Sequence, residues 1–519
     1  MKRLWVLAAG VVIFAGVDFA FTQTAEVSQK SDISIFSVYS SEDVPVDAVA
    51  YFDGNLIERI RDLGRFNVIG FQYRFDTKSA SEFLEKIREL KKEQIFSDER
   101  LVDERIGAVV LPAEELYTML KSVFIFIPSI SGWNVSSYEV EVEVKKDGET
   151  VIEYRTEHKA EVTVSVQIID GEGKLRRAYL DTGEETSRRS QEDAYQKAIR
   201  SAISGLTFFL RSTDEFRLRT RVLQRDGRNI YLELGKDLGI RKGYEFAMQI
   251  TSVLEGDFTI TKTAGLVRVR EVGDNFSRGH VIHGNPQPED RLIEMPMLDI
   301  RFSLFGGFST MNIRESKFDF VYAEMPDKVR ITNITIKQSY LVPDFGFKTV
   351  YEIGYAGLAG IKMGFLINEP TAVYIGVGGG YELFFGSVSL DFGADFCLIA
   401  TSITLGEIAE IPGGLEIGDT IFENDIKVNL SVFTMGINPF LAFNIQLAQK
   451  FKLRAYGGFN LYIPPFYSLS FSDVKDSEIS KGLSFLKDEV YFIENGDKID
   501  SLPISFTGFF AGIELILRL

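Results

Sequence analysis

Cysteine is almost absent from this chain. Cys397 stands alone among 519 residues, so no intramolecular disulfide can form. Three histidines leave few ligands for metal chemistry. His280 and His283 are three apart in a strand-like segment, which places them on opposite faces rather than around one ion. Positive charge is in the minority. Lys and Arg total 57 against 74 Asp and Glu, a formal charge of −17. A nucleic-acid binder would show a basic field instead, so this charge is read as a solvated acidic surface. Beyond the N-terminus no uninterrupted apolar run reaches helix-spanning length, and mean hydropathy is +0.03. That pattern excludes a polytopic helical membrane protein. The glycines at 235–243 are not followed by Lys-Ser or Lys-Thr, which excludes a phosphate loop and leaves turn glycines.

The N-terminus reads as a secretory signal over residues 1–25. Lys2 and Arg3 are the basic region, residues 4–17 are the apolar core, and Asp18 closes it. That core is short for a membrane span; a retained anchor helix is the competing reading. Cleavage falls between Ala20 and Glu26, with cuts after Thr22 and after Ala25 both open. No Cys closely follows the apolar core, so no lipoprotein acylation site is expected.

A chain this long holds roughly two to four domains. Residues 31–212 read as an α/β domain. Apolar strands are expected at 33–38, 66–71, 106–111 and 123–127. In 47–63, Val49, Phe52, Leu56 and Ile60 fall on one helical face, and Gly64 supplies the stop. A second helix spans 79–92, with Phe83, Ile87 and Leu90 together. A hairpin of 138–144 with 150–155 turns at Lys146-Asp147-Gly148. Strand 161–169 and one long helix, 190–210, complete the segment. The hairpin's apolar face is Val140, Val142 and Val144. It is shorter than the ~9–11 residues a membrane strand needs, so the hairpin is read as soluble.

Two passages carry a resemblance. One runs from Phe52-Asp53-Gly54-Asn55-Leu56-Ile57 through Leu63-Gly64-Arg65-Phe66-Asn67-Val68-Ile69. The other is strand 162–169, the turn at Asp170, Thr182-Gly183-Glu184, and the helix after Gln191. Together they resemble the CsgG-like family, the periplasmic fold of the curli secretion channel, and its relatives near the flagellar protein FlgT. The resemblance implies a periplasmic α/β fold and, in channel members, a homo-oligomeric ring. Those members carry a lipidated Cys, and here there is none. Residues 216–294 read as a small all-β module, with strands at 218–222, 229–234, 244–249, 264–272 and 280–282. Its glycine-bracketed centre resembles the C-terminal module of FlgT-like proteins.

Residues 298–519 alternate as a transmembrane β-barrel does. In the last strand Phe509, Ala511, Ile513, Leu515 and Leu517 share one face, while Phe510, Gly512, Glu514, Ile516 and Arg518 share the other. Eight such strands can be laid, at 298–309, 342–353, 356–367, 371–383, 387–400, 429–446, 450–463 and 505–519. A hairpin of 318–322 with 329–336 in the first long loop would make ten. The connections 354–355, 384–386 and 447–449 are short, and 310–341, 401–428 and 464–504 are long. Outer-membrane barrels show that asymmetry, with short turns in the periplasm. The connection 368–370 breaks it. The strand ends Ile516-Leu517-Arg518-Leu519, without the terminal aromatic that barrel-assembly machinery reads in outer-membrane proteins.

The inward face carries a charge network. Its acids are Asp299, Glu352, Glu382, Asp391, Asp395 and Glu514; its bases are Arg301, Lys348, Lys362, Lys452, Arg454 and Arg518. Six oppose six, as expected where an unpaired buried charge would cost several kcal/mol. Eight strands leave room only for side chains. The interior is therefore read as plugged, resembling the OmpA/OmpX class in architecture; an open pore and a lipocalin-like soluble barrel are the competing readings. Asp391 and Asp395 share a face, but balanced bases favour ion pairing over acid–base work. Cys397 is read as an inward filler. No catalytic, metal or cofactor site assembles. The expectation is a non-enzymatic outer-membrane protein. Its barrel would sit in lipid and anchor a periplasmic module that binds or scaffolds an unidentified envelope protein. A CsgG-like secretion component forming a ring is the alternative.

Overall fold

The computed structural model contains an α/β part, a small closed β-barrel and a large eight-stranded β-barrel. It describes residues 27–71, 73–92, 103–106, 109–146, 149–253, 259–313, 316–322, 330–336, 339–368, 371–408, 415–417, 420–422, 426–473, 480–484, 490–494, 496–499 and 504–519. The expected signal segment lies outside the described residues.

The α/β part is a five-stranded sheet in the order Phe66–Phe71, Ser31–Phe36, Phe124–Lys146, Glu149–Asp170, Leu175–Ser187. The first three pair in parallel and the rest antiparallel. Strand alternation feeds two cores. Ile33, Ile35, Phe124 and Phe126 pack with helices Val46–Asp62 and Gln191–Ala202. Phe36, Ile125 and Ile127 pack with helices Thr77–Lys92 and Ala113–Lys121 on the other face. Each fully buried side chain of this size contributes about 1.5–3 kcal/mol.

Three expectations need correction here. The long helix over 190–210 is two helices, Gln191–Ala202 and Leu206–Ser212. Gly205 lies at the break, where a helix-interior glycine costs about 1 kcal/mol, and Tyr179 Oη donates to the freed Ala202 carbonyl at 2.7 Å. Helix Ala113–Lys121 and strand Leu175–Ser187 were not anticipated. The segments 123–127 and 138–144 form one strand, Phe124–Lys146, with a register shift between Ile130 and Gly132. Its partner, Glu149–Asp170, is accompanied by the third strand only along 158–169. Residues 138–146 and 149–157 therefore project as a two-stranded ribbon, reaching about 30 Å at ~3.4 Å per residue. One ribbon face mixes Val140 and Val142 with Arg155 and Glu153; the other mixes Glu139 and Glu141 with Thr156 and Tyr154. Neither face is apolar enough for lipid.

The small barrel closes in the order Glu245–Val253, Thr259–Val272, Ser277–His283, Asn229–Leu232, Arg219–Asp226, Arg291–Glu294. Val222, Ile230, Phe246, Val267, Val269 and Val281 fill it. Its contact with the α/β part is backbone-tight. Gly239 has φ 74°, and a Cβ there would lie 1.8 Å from the Leu63 carbonyl oxygen. Gly64 has φ 73°, and its Cβ would lie 2.5 Å from Gly239 N. Gly239→Ala is expected to separate the two parts, because the left-handed conformation alone costs roughly 1–2 kcal/mol and the clash is with backbone. Gly227→Ala is the control: it shares the positive φ (59°) but meets nothing within 4 Å. Limited proteolysis should show faster cleavage near 213–218 for the first variant only.

The large barrel has strands Ile300–Ile313, Ser339–Ile353, Gly357–Leu366, Ala372–Phe384, Val388–Ile408, Ile426–Gln446, Phe451–Tyr462 and Gly508–Arg518. Neighbours pair antiparallel throughout, and the last pairs with the first, from Arg301↔Arg518 to Ser309↔Phe510. Phe302, Leu304, Phe345, Ile361, Ile375, Phe396, Ile437, Leu453 and Ile513 all lie exposed on the outside. Among the described residues the closed ring has eight strands, not ten. The segments Ser316–Tyr322 and Arg330–Ile336 leave the barrel wall and join Val490–Glu494 and Asp497–Ile499 in a separate four-stranded sheet.

Candidate functional site: the charged lumen and its floor

The small barrel sits on the end of the large barrel where strand Ile300–Ile313 begins. Leu266 and Ile282 of the small barrel pack with Ala356 and Phe384 of the large one. Two charged residues cross this joint. Glu245 accepts from Arg518 Nη2 at 2.5 Å and Nη1 at 3.2 Å, a bidentate pair. Arg268 places Nη1 2.5 Å from Glu352 Oε2 as an ion pair, and its Nη2 donates to the Gly354 carbonyl at 3.1 Å. Both side chains are fully enclosed.

Above this floor the lumen is layered. Glu352 accepts from Arg301 Nε at 2.5 Å and from Arg518 Nε at 3.2 Å. Glu382 pairs with Arg301 and with Lys452, the latter at 2.7 Å, and accepts from Ser389. The strands put these groups there by register: Arg301 faces Arg518 on one neighbour and Val350 on the other, so alternate residues converge at one depth. Farther along, Asp395 takes Lys362 at 3.0 Å and Lys348 at 3.6 Å. Arg454 takes Glu514 at 3.1 Å and Asp391 at 3.7 Å. Phe440 lies under both Lys348 and Arg454, at 4.9 and 5.1 Å from its ring centre. Breaking a pair in such a layer is costly, since removing one partner leaves the other's charge buried.

Eleven of the twelve sequence-derived residues thus enter ion pairs with one another. Asp299 does not. It has φ 59°, and the strand begins after it at Ile300, so the alternation that aims its neighbours inward does not extend to it. Its carbonyl accepts from Glu352 N at 2.6 Å, but its carboxylate forms no ion pair among the described residues. Glu245 and Arg268 were missed. Arg268 alternates with core residues Val267 and Val269, and Glu245 precedes core Phe246, so both look like the solvent face of a small barrel. Asp344 was legible but overlooked: it opposes outward Phe345, and it accepts from Tyr374 Oη at 2.8 Å. Cys397 is fully buried and accepts from Asn438 Nδ2 at 3.2 Å. Among the described residues no group of three His, Cys, Asp or Glu could hold a metal.

The half of the lumen away from the floor holds a cavity with about 620 Å³ of space unfilled by atoms, part of it open to solvent. A second contact completes the stack at the other side of the small barrel. Glu294 takes Arg65 at 2.8 Å and Arg211 at 2.7 Å, and accepts from Leu218 N at 3.2 Å. Burial alone would raise the Glu294 carboxyl; the Arg65 and Arg211 guanidinium groups hold it below the ordinary glutamate range.

No family model matches the chain, and no curated protein matches it. Among solved structures, the N-terminal β-barrel domain of Pseudomonas aeruginosa OprF is 8% identical, with TM-score 0.19, covering 43% of this chain and 98% of that one. The Escherichia coli outer membrane protease OmpT is 8% identical, with TM-score 0.22, covering 43% and 99%. The Pseudomonas aeruginosa outer membrane protein OprG is 10% identical, with TM-score 0.18, covering 42% and 95%. At these values none lends this chain an activity or a substrate. The eight-stranded antiparallel barrel rests on its own strand pairing and its apolar outer face.

Proposed function

We propose that this chain is a non-enzymatic outer-membrane protein whose large barrel is a closed anchor. Residues 27–294 then lie in the periplasm, where the α/β part binds or scaffolds an envelope or appendage protein. The observation that carries this reading is the floor. Glu245 and Arg268 of the small barrel complete the lumen's own charge layer, so the soluble parts are fastened to the barrel instead of tethered. A fastened module suits load-bearing or positioning better than passage of solute. The apolar exterior supports lipid as its solvent, and insertion is assigned to barrel-assembly machinery.

In planar bilayers the purified protein is expected to show no steady conductance. Stable, ion-selective channels would overturn the closed-anchor reading. Protease added to intact cells is expected to cut only within 310–341, 401–428 or 464–504. Cleavage in 27–294 would place those parts on the wrong side. A stable ring after mild detergent extraction would instead favour the secretion reading.

A further inference from the structure

We propose that the far half of the lumen is a pocket for a small organic ammonium ion. The floor closes this half from the small barrel, so it forms a blind cup. Its walls are rich in aromatic rings, including Phe305, Tyr374, Tyr456, Tyr462 and Phe510. Such faces attract cations, and Lys362 Nζ already lies over the Tyr374 and Phe510 rings, at 5.6 and 5.8 Å from their centres. The ion pairs around it leave one acid out. Lys348, Lys362 and Arg454 face Asp395, Glu514 and Asp344 in the wall, and Arg454 is also shared with Asp391 just behind it. The wall thus holds three bases and three acids, yet all three bases are engaged by Asp395, Glu514 and Asp391. Asp344 is the carboxylate left over: it is 7% exposed, has Tyr374 Oη at 2.8 Å, and has no ion pair among the described residues.

Two further wall groups have unspent hydrogen-bonding capacity. Asn438 is 4% exposed, and its Nδ2 is used by Tyr462 Oη and Cys397 Sγ, but its Oδ1 has no partner among the described residues. Tyr456 Oη is buried without a partner among the described residues. A free amide oxygen and an uncompensated carboxylate both ask for N–H donors, and an ammonium supplies several. A carboxylate ligand would add a further acid beside Asp344 and leave Asn438 Oδ1 unmet.

The pocket shares the closed floor with the anchor reading but not the periplasmic role: soluble parts that bind no envelope protein would defeat that role and leave the pocket standing. The test is calorimetric titration of the detergent-solubilised full chain with benzylammonium. Benzyl alcohol and benzoate serve as neutral and anionic comparators. Saturable binding of the ammonium is expected, at least about tenfold tighter than either comparator. Asp344→Asn keeps an acceptor for Tyr374 and is expected to weaken the ammonium about tenfold while leaving benzyl alcohol unchanged. Tyr374→Phe keeps the carboxylate and is expected to bind at least as tightly as the parent. Circular dichroism confirms that each variant is folded. The proposal is overturned if the parent binds no ammonium, if all three probes bind alike, or if folded Asp344→Asn keeps full affinity. Loss of binding in folded Tyr374→Phe would overturn it equally.

Discussion

Glu352→Gln is expected to destabilise the large barrel by about 3–5 kcal/mol, the usual cost of leaving a buried charge without its partner. The size follows from position. Three guanidinium groups converge on this one carboxylate, those of Arg268, Arg301 and Arg518, all with side chains no more than 4% exposed. Glutamine keeps the volume and one acceptor but removes the charge. Arg301 retains Glu382, yet Glu382 already serves Lys452. Arg268 retains only Glu245, at 3.5 Å, and both oxygens of Glu245 are engaged by Arg518. The surplus positive charge therefore falls at the joint between the two barrels. Two readouts should move together: the urea midpoint of unfolding from lipid vesicles, and the rate of proteolysis near residue 298. Adding Arg268→Met removes the stranded cation and should restore part of the loss, a coupling that a double-mutant cycle measures. A loss under about 1 kcal/mol would mean that water reaches this layer and screens it.

The lumen part of this network was legible because strand alternation needs no knowledge of neighbours. Ile361, Lys362 and Met363 declare two faces by themselves, and the barrel places Lys362 inward beside Asp395. Half of the separate four-stranded sheet was legible, as the hairpin of Ser316–Tyr322 with Arg330–Ile336, but its pairing with Val490–Glu494 was not. Phe318 pairs with Glu494, and no local pattern carries a register across so long a separation. The charges at the joint were illegible for a different reason. Arg268 points away from the small barrel's core, and in an isolated module that direction is water. Docking against Gly354 and Glu352 converts a solvent face into a buried one. The broken helix after Ala202 belongs with these: apolar periodicity continues through Leu206 and Phe209, while the Ala202 carbonyl freed at the interruption is met by Tyr179 from a neighbouring strand.

Acid is expected to loosen the joint between the α/β part and the small barrel, and Glu294→Gln should abolish that sensitivity. Glu294 is fully buried between Arg65 and Arg211, and these hold its carboxyl ionised at neutral pH against the pull of burial. Its folded pKa is thus depressed relative to the unfolded chain. A depressed carboxyl adds stability that is complete above the unfolded value, near 4.5, and is lost as pH falls through the lower folded value. Protonation leaves two guanidinium groups facing each other across the Phe216 and Leu218 backbone that they and Glu294 otherwise hold. At neutral pH Glu294→Gln should cost about 3–5 kcal/mol at this joint, for the same reason that breaking any buried pair does. Hydrogen exchange at residues 213–218 reads the opening directly. In the parent, opening should be constant from pH 7 to about 5 and rise steeply below that; in the variant it should be high already and flat. A parental pH slope retained by the variant would assign the acid sensitivity to some other carboxylate.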